Sequence, residues 1–250
     1  MSIHKTEGIV LRRYNLRETS LIVHFYTLES GRITTVLKGV RQDPGKFASS
    51  VDLFTHNDIV FYKKRNTALH LVSQCDLKEN FTPIRQDMIK VGVANMMLEL
   101  LDAVMPLEDA NSDIFNLALS CLSEVALSNN PDKILTIFKI KLLSLSGFKP
   151  HLDSCVSCGD KIIDQSKFSL SLGGLLCKRC LSKDFSSREI FRGTIATILY
   201  IERNNLRTNL NLGMNPVIKK ELGLILNAFL NFHLQKYFKS EKVLNQFINA

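Results

Sequence analysis

Four cysteines in the middle of the chain restrict its folding more than any other feature. In "CVSCGDKIIDQSKFSLSLGGLLCKRC", residues 155–180, Cys155 and Cys158 form one Cys-x-x-Cys knuckle and Cys177 and Cys180 a second, with eighteen residues between them. Two thiolates at that spacing can turn toward one ion, and two knuckles complete the tetrahedron of sulfur ligands that zinc favours. Gly159 follows the first knuckle, where a tight turn benefits from a residue without a Cβ. A redox dithiol would open a helix in a thioredoxin-like βαβ pattern, and it would not come twice. Disulfides need an oxidising compartment, and the opening "MSIHKTEGIVLRR" has no apolar signal core. The spacing therefore predicts Zn2+ on Cys155, Cys158, Cys177 and Cys180. Four thiolates fill its shell and leave no position for water or substrate, so the metal is expected to be structural. His151, four residues before Cys155, is left out of the ligand set, and Cys75 and Cys121 lie in apolar runs and read as core residues.

Around the knuckles the chain changes character near residue 80. Before it, short runs rich in Val, Ile, Thr, Phe and Tyr ("EGIVLRRY", "SLIVHFYTL", "GRITTVLKGV", "NDIVFYKK", "ALHLVSQCDL") are separated by turn residues, as strands are. Five strands in about eighty residues predict a small closed barrel, because closure removes the exposed edges of so short a sheet. An oligonucleotide-binding (OB) barrel has this strand count, and an SH3-like barrel competes on pattern alone. After residue 80 the apolar period becomes helical. One helix is expected from Ile84 to Met105, a second over 112–127, and a third following Pro131 and Asp132 and carrying Ile134, Leu135, Phe138, Leu142 and Leu145, with Gly147 ending it. Beyond the knuckles, helices are expected near 188–203 and over 216–238, separated by an Asn-rich loop, with a short helix last. The expected architecture is α+β: an OB-type barrel over 1–80, then a helical domain over 81–250 carrying a zinc finger module at 151–185. The longest uncharged stretch, residues 222–235, is too short and too polar to span a bilayer, so a cytoplasmic protein is expected.

The formal net charge is +8, and it is unevenly placed. Residues 1–80 carry twelve Lys/Arg against eight Asp/Glu, and residues 151–250 fourteen against eight. Such a balance suits a polyanionic partner. Within the barrel, Arg12, Arg13 and Arg17 fall around the first turn, Lys38, Arg41 and Lys46 at and beyond the third strand, and Lys63, Lys64 and Arg65 in the next turn. Turns converging at one end of a barrel would line a groove for a phosphate backbone, with Tyr14, Phe47 and Tyr62 placed to stack on bases. Catalytic signatures are missing. "GVRQDPGKF" has five residues between its glycines and Phe after its Lys, whereas a phosphate-binding loop needs four and then Ser or Thr. No Gly-x-Ser-x-Gly elbow, His-Glu-x-x-His pair or acidic two-metal cluster occurs. A binding protein is expected rather than an enzyme.

"TEGIVLRRYNLRETSLIVHFYTLESGRITTVLKGVRQ" (6–42) closely resembles the opening of the bacterial RecO family of DNA repair and recombination mediators. The matching motifs are Gly8–Leu11, Glu18–Ser20, Thr27–Gly31 and Lys38–Arg41, with Val40 where a small Ala is usual. "LLSLSGFKPHLDSCVSCG" (142–159) resembles the family's passage from helix to knuckle, and "KYFKSEKVLNQF" (236–247) its ending. The resemblance implies an OB barrel, a helical bundle and a four-cysteine finger. It also implies binding of single- and double-stranded DNA, annealing of complementary strands, and loading of RecA onto single-stranded DNA with RecR. The acidic C-terminal tail of the single-stranded-DNA-binding protein would be a further partner, in a bacterial, nucleoid-associated setting. For that tail the third helix is the expected groove, with Phe138, Leu142 and Leu145 as floor and Lys139 and Lys141 beside it. A zinc-finger transcription or translation factor without annealing activity, and an enzyme with an unrecognised motif, are the competing readings.

Overall fold

The computed structural model describes residues 2–43, 47, 51–63, 67–162 and 165–248. They form two compact units, residues 1–131 with 239–250, and residues 132–238. The expected boundary at residue 80 falls inside the first of them.

The first unit opens with five strands, β1 (Ser2–Leu16), β2 (Ser20–Thr27), β3 (Gly31–Leu37), β4 (His56–Lys63) and β5 (Leu69–Glu79), which close in the order β1-β2-β3-β5-β4. The length of β1 makes closure possible. Its first half pairs antiparallel with β4 (Ser2↔Lys63 to Ile9↔His56) and its second half with β2 (Gly8↔Thr27 to Leu16↔Ser20). A bulge between Val10 and Arg12 separates most of the two pairings and bends the strand. Parallel pairing of β3 with β5, from Thr34↔Leu69 to Val36↔Leu71, seals the barrel and gives it the OB-type order. Alternate residues point inward: Val10, Val23, Phe25, Ile33, Leu37, Ile59, Phe61 and Val72 fill the interior, joined by Val40, Phe47 and Val51 from the β3–β4 connection. At Gly8 a Cβ would lie 2.4 Å from the Ile59 Cδ1, so glycine there leaves room for that core side chain.

Helices α1 (Thr82–Arg85), α2 (Met88–Val104) and α3 (Ser112–Leu127) follow. The single helix expected from Ile84 is two, because Asp87 caps α2, its Oδ1 accepting from the N–H groups of Ile89 (2.8 Å) and Lys90 (3.1 Å). Asp102 of α2 ties the helix to the barrel through Arg12 of β1 (2.8 Å) and Arg32 of β3 (2.9 Å). The α2–α3 connection lies against the β2–β3 turn. Gly31 has φ +64°, and a Cβ there would sit 2.2 Å from the Asp109 carbonyl oxygen. The last helix, α8 (Lys239–Ile248), returns to this unit: the Ser240 N–H donates to Glu99 of α2 at 3.1 Å, and Leu244 packs on Gly92.

The second unit holds α4 (Pro131–Leu145), a three-stranded sheet of β6 (Ser166–Ser169), β7 (Gly174–Cys177) and β8 (Arg188–Glu189) in the order β7-β6-β8, then α5 (Arg192–Arg203), α6 (Leu206–Leu210) and α7 (Pro216–Leu234). The helix expected from 188 begins at 192 because Arg188 and Glu189 pair with β6. Glu221 of α7 receives the Phe191 N–H at 3.1 Å and the Thr194 hydroxyl, placing a carboxylate at the positive end of α5. Within the Asn-rich segment, Asn205 caps the short α6 by accepting from the Thr208 N–H at 2.9 Å. Helix α7 stops at 234 rather than 238 because Gln235 turns left-handed at φ 48°. Among the described residues no helix is long and apolar enough to cross a membrane.

Candidate metal centre and nucleic-acid interface

The small sheet positions the cysteines through β7. Strand β7 delivers Cys177 at its end, and a 3-10 turn over Lys178–Lys183 brings Cys180 round. The first knuckle is hung on the same strand, the Val156 N–H donating to the Leu175 carbonyl at 2.8 Å, and it closes where the Gly159 N–H meets the Cys155 carbonyl at 2.9 Å. Gly159 takes φ +76°, the turn conformation its lack of a Cβ permits. The result brings all four Sγ atoms within 4.8 Å of one another. Cys158 and Cys177 are 3.7 Å apart, against an edge of about 3.8 Å for a tetrahedron of 2.3 Å zinc–sulfur bonds. The donor set therefore fits a metal ion of zinc's kind. Burial alone would raise the Cys155 thiol, but N–H groups of Cys177, Cys158 and Ser157 outweigh it and bring it down to about 6, toward the thiolate that binds metal. His151 bonds Ser154 at 2.7 Å and is not part of the cluster. Cys75 and Cys121 are buried, and burial pushes the Cys121 thiol up to about 12.

The basic residues of the barrel divide into two sets. Arg12 pairs with Asp102, Arg13 with Asp52, and Lys63 with Glu108, which also bonds His70 at 3.0 Å. Burial alone would raise the Asp102 carboxyl; His24, Arg32 and Arg12 around it hold it well below the usual carboxylate range. These three cations are already partnered. Arg17, Lys38 and Arg41 are exposed, and none of them pairs with a carboxylate among the described residues. Arg41 bonds back to the β1–β2 turn, its N–H donating to the Thr19 carbonyl (3.0 Å) and its guanidinium to the Arg17 carbonyl (2.9 Å). The segment after β3 is thereby tied to the β1–β2 turn. Lys63, opposite Ser2, lies at the other end of the long β1. Lys46, Lys64 and Arg65 lie outside the described residues.

OB barrels take oligonucleotides on the face of strands 2 and 3. Here part of that face is covered by the unit's own helices. The Tyr26 hydroxyl donates to the Asn111 carbonyl at 3.2 Å, its ring meets Phe115 of α3 at 6.2 Å, and Arg32 is held by Asp102 of α2. Of the three aromatics expected to stack on bases, Phe47 is in the barrel core and Tyr62 is half-buried, whereas Tyr14 is 47 % exposed. Sequence reasoning missed Arg32 and the carboxylates that claim Arg12, Arg13 and Lys63, since those partners are distant in the chain.

The groove expected on α4 is not open. Phe138 and Leu142 are fully buried and Lys139 nearly so. The Lys139 ammonium donates to Asn227 Oδ1 at 2.6 Å and that of Lys141 to the Glu202 carbonyl at 2.7 Å. Every residue from Ile134 to Ile140 is buried, so α4 is a core helix with no amphipathic outer face at that level.

Residues 1–81 match the family model for the recombination protein O N terminal domain, and residues 85–242 the model for its C terminal domain. Among curated proteins, the chain is 32 % identical over 237 residues to the DNA repair protein RecO of Alkaliphilus metalliredigens, covering 93 % of this chain and 94 % of that one. It is 29 % identical over 247 residues to the RecO of Desulforamulus reducens (98 % and 95 % covered), and 29 % over 250 residues to that of a Thermoanaerobacter species (100 % of both). These matches run end to end, so barrel, helices and cysteine module all fall within one family's span.

Proposed function

The chain belongs to the RecO family of DNA repair proteins, and from that premise we propose that it is a DNA-binding mediator of repair and homologous recombination. It binds single- and double-stranded DNA, anneals complementary strands and, with RecR, helps load RecA onto single-stranded DNA coated by the single-stranded-DNA-binding protein, whose acidic tail is a partner. The buried face of α4 does not serve that tail. The observation that carries the DNA reading is the set of exposed cations Arg17, Lys38 and Arg41 on two chain segments that Arg41 bonds together, none of them paired with a carboxylate among the described residues. Annealing brings two polyanions together, and a cationic surface lowers their mutual repulsion by neutralising phosphates, with release of counterions favouring the binding. It is a stoichiometric binder and not an enzyme.

Zinc is the proposed occupant of the cysteine cluster, held by Cys155, Cys158, Cys177 and Cys180. With four thiolates it supplies no reactive position and acts as a cross-link that fixes the β6–β8 sheet. An annealing assay tests the function: complementary oligonucleotides, bare and coated with single-stranded-DNA-binding protein, should pair faster with this protein present. Pairing no faster than without it would refute the mediator reading.

A further inference from the structure

Building on the DNA-binding reading, we propose that a recess beside Tyr14 receives one unstacked nucleobase of a bound single strand. The recess has a volume of about 260 Å³ and is lined by Leu11, Arg12, Tyr14, Leu98, Glu99 and Ser240, together with Asn95. It lies between the second half of β1 and helices α2 and α8.

Its chemistry suits a base better than a phosphate or an acidic peptide. The charges in and around it are already used: Arg12 is on Asp102, Arg13 on Asp52, and Glu99 accepts the Ser240 N–H at 3.1 Å. Among the described residues each cation of the lining already has a carboxylate, which disfavours an anionic guest. The floor is apolar, Leu11 and Leu98 each being 3 % exposed, which fits the faces of a heteroaromatic ring. Neutral polar groups complete the lining. The Asn95 amide donates to the Val91 carbonyl at 3.0 Å, which leaves its oxygen to accept, and Ser240 adds a hydroxyl that can do either. The volume falls below the roughly 300–1,000 Å³ of drug-sized sites, as a single ring system requires.

Tyr14 supplies the platform. Its ring is nearly half exposed, braced edge-on by His24 with centroids 5.6 Å apart, and the Arg12 guanidinium donates to its hydroxyl at 3.4 Å. Three residues along the chain is Arg17, to which Arg41 is bonded. Arg17 and Arg41, paired with no carboxylate among the described residues, therefore hold the sugar–phosphate backbone next to an aromatic platform and an apolar-floored slot. Every base has a π-face, so the site is indifferent to sequence, as a protein that anneals arbitrary strands must be.

Labelled oligothymidylate and the same sugar–phosphate chain with abasic residues separate the two contributions by fluorescence anisotropy. The wild-type chain should bind the base-bearing strand roughly 5- to 100-fold more tightly. Tyr14→Ala should remove most of that ratio, Tyr14→Phe should keep it, and neither should change the salt dependence. Ser240→Met, which fills the recess from the α8 side, should reduce the ratio as well. Equal affinity of the wild type for both strands overturns the proposal while leaving DNA binding intact, and so does Tyr14→Ala weakening both strands alike. An acidic peptide with an aromatic end that binds the wild type but not Tyr14→Ala, with no preference between the strands, would reassign the recess to a protein partner. Failure to bind either strand would instead refute the DNA-binding reading.

Discussion

Replacing Asp102 with Asn tests how the barrel is held to its helices. The Asp102 side chain is 9 % exposed and serves Arg12 and Arg32, which are 33 % and 22 % exposed, with His24 at 3.9 Å. An amide can still accept one guanidinium hydrogen bond but removes the negative charge, leaving two half-buried cations facing a neutral group. Removing one partner of a buried pair costs about 3–5 kcal/mol. Partial exposure of both arginines and the surviving amide contact reduce that to about 2–3 kcal/mol here. For a chain of this size the loss lowers Tm by about 4–12 °C. The pH dependence gives a second reading. A carboxyl held below its unfolded value contributes stability that is full above that value, near 3.9, and is lost as pH falls toward its folded one. The gap between wild type and Asp102→Asn should therefore be constant from pH 7 to about 5 and shrink below about 4. Thermal melts across that range, with Arg32→Leu as the partner in a double-mutant cycle, make the measurement. Equal melting of wild type and variant at pH 7, or a gap that does not narrow in acid, would refute the reasoning.

Three other perturbations probe separate parts of the account. Cys177→Ser should lower zinc content well below one per chain and loosen the β6–β8 sheet, measured by elemental analysis and proteolysis; full zinc retention would contradict the ligand set. Glu108→Gln should release Lys63, raise affinity for single-stranded DNA and steepen its log-affinity against log-salt slope by about 0.7, whereas an unchanged slope would mean Lys63 does not reach DNA. Gly31→Ala must place a Cβ against the Asp109 carbonyl at positive φ, so urea denaturation should find it destabilised by more than about 1 kcal/mol, and a neutral effect would contradict the packing of the 105–111 connection on the β2–β3 turn.

Much of this was legible in the sequence, for local reasons. The five strands follow from alternation with turns between them, and the metal cluster from the two-residue spacing within each knuckle, both of which act over a few residues. Helix α3 lies at its expected 112–127 because Asn111 and its neighbours mark its start locally. Where the reading fell short, distance in the chain is the cause. Arg12, Arg13 and Lys63 look like free turn cations until Asp102, Asp52 and Glu108 arrive from 39 to 90 residues away. Phe47 looks like a surface aromatic beside Lys46, yet it plugs the barrel. Helix α4 carries lysines that suggest an outer face, but Asn227 and the Glu202 carbonyl satisfy them. The β6–β7 hairpin was hidden inside the knuckle spacing, and β8 was masked by the helical pattern that follows it.

The central claim is that DNA is held by Arg17, Lys38 and Arg41, which pair with no carboxylate among the described residues, rather than by the whole basic complement of the barrel. Its most direct test is the salt dependence of single-stranded DNA affinity in the wild type and in the triple Ala variant. Loss of three phosphate contacts should flatten the log-affinity against log-salt slope by about two, about equally for every sequence tried. An unchanged slope in a folded triple variant would contradict the claim and move the DNA site to another part of the chain.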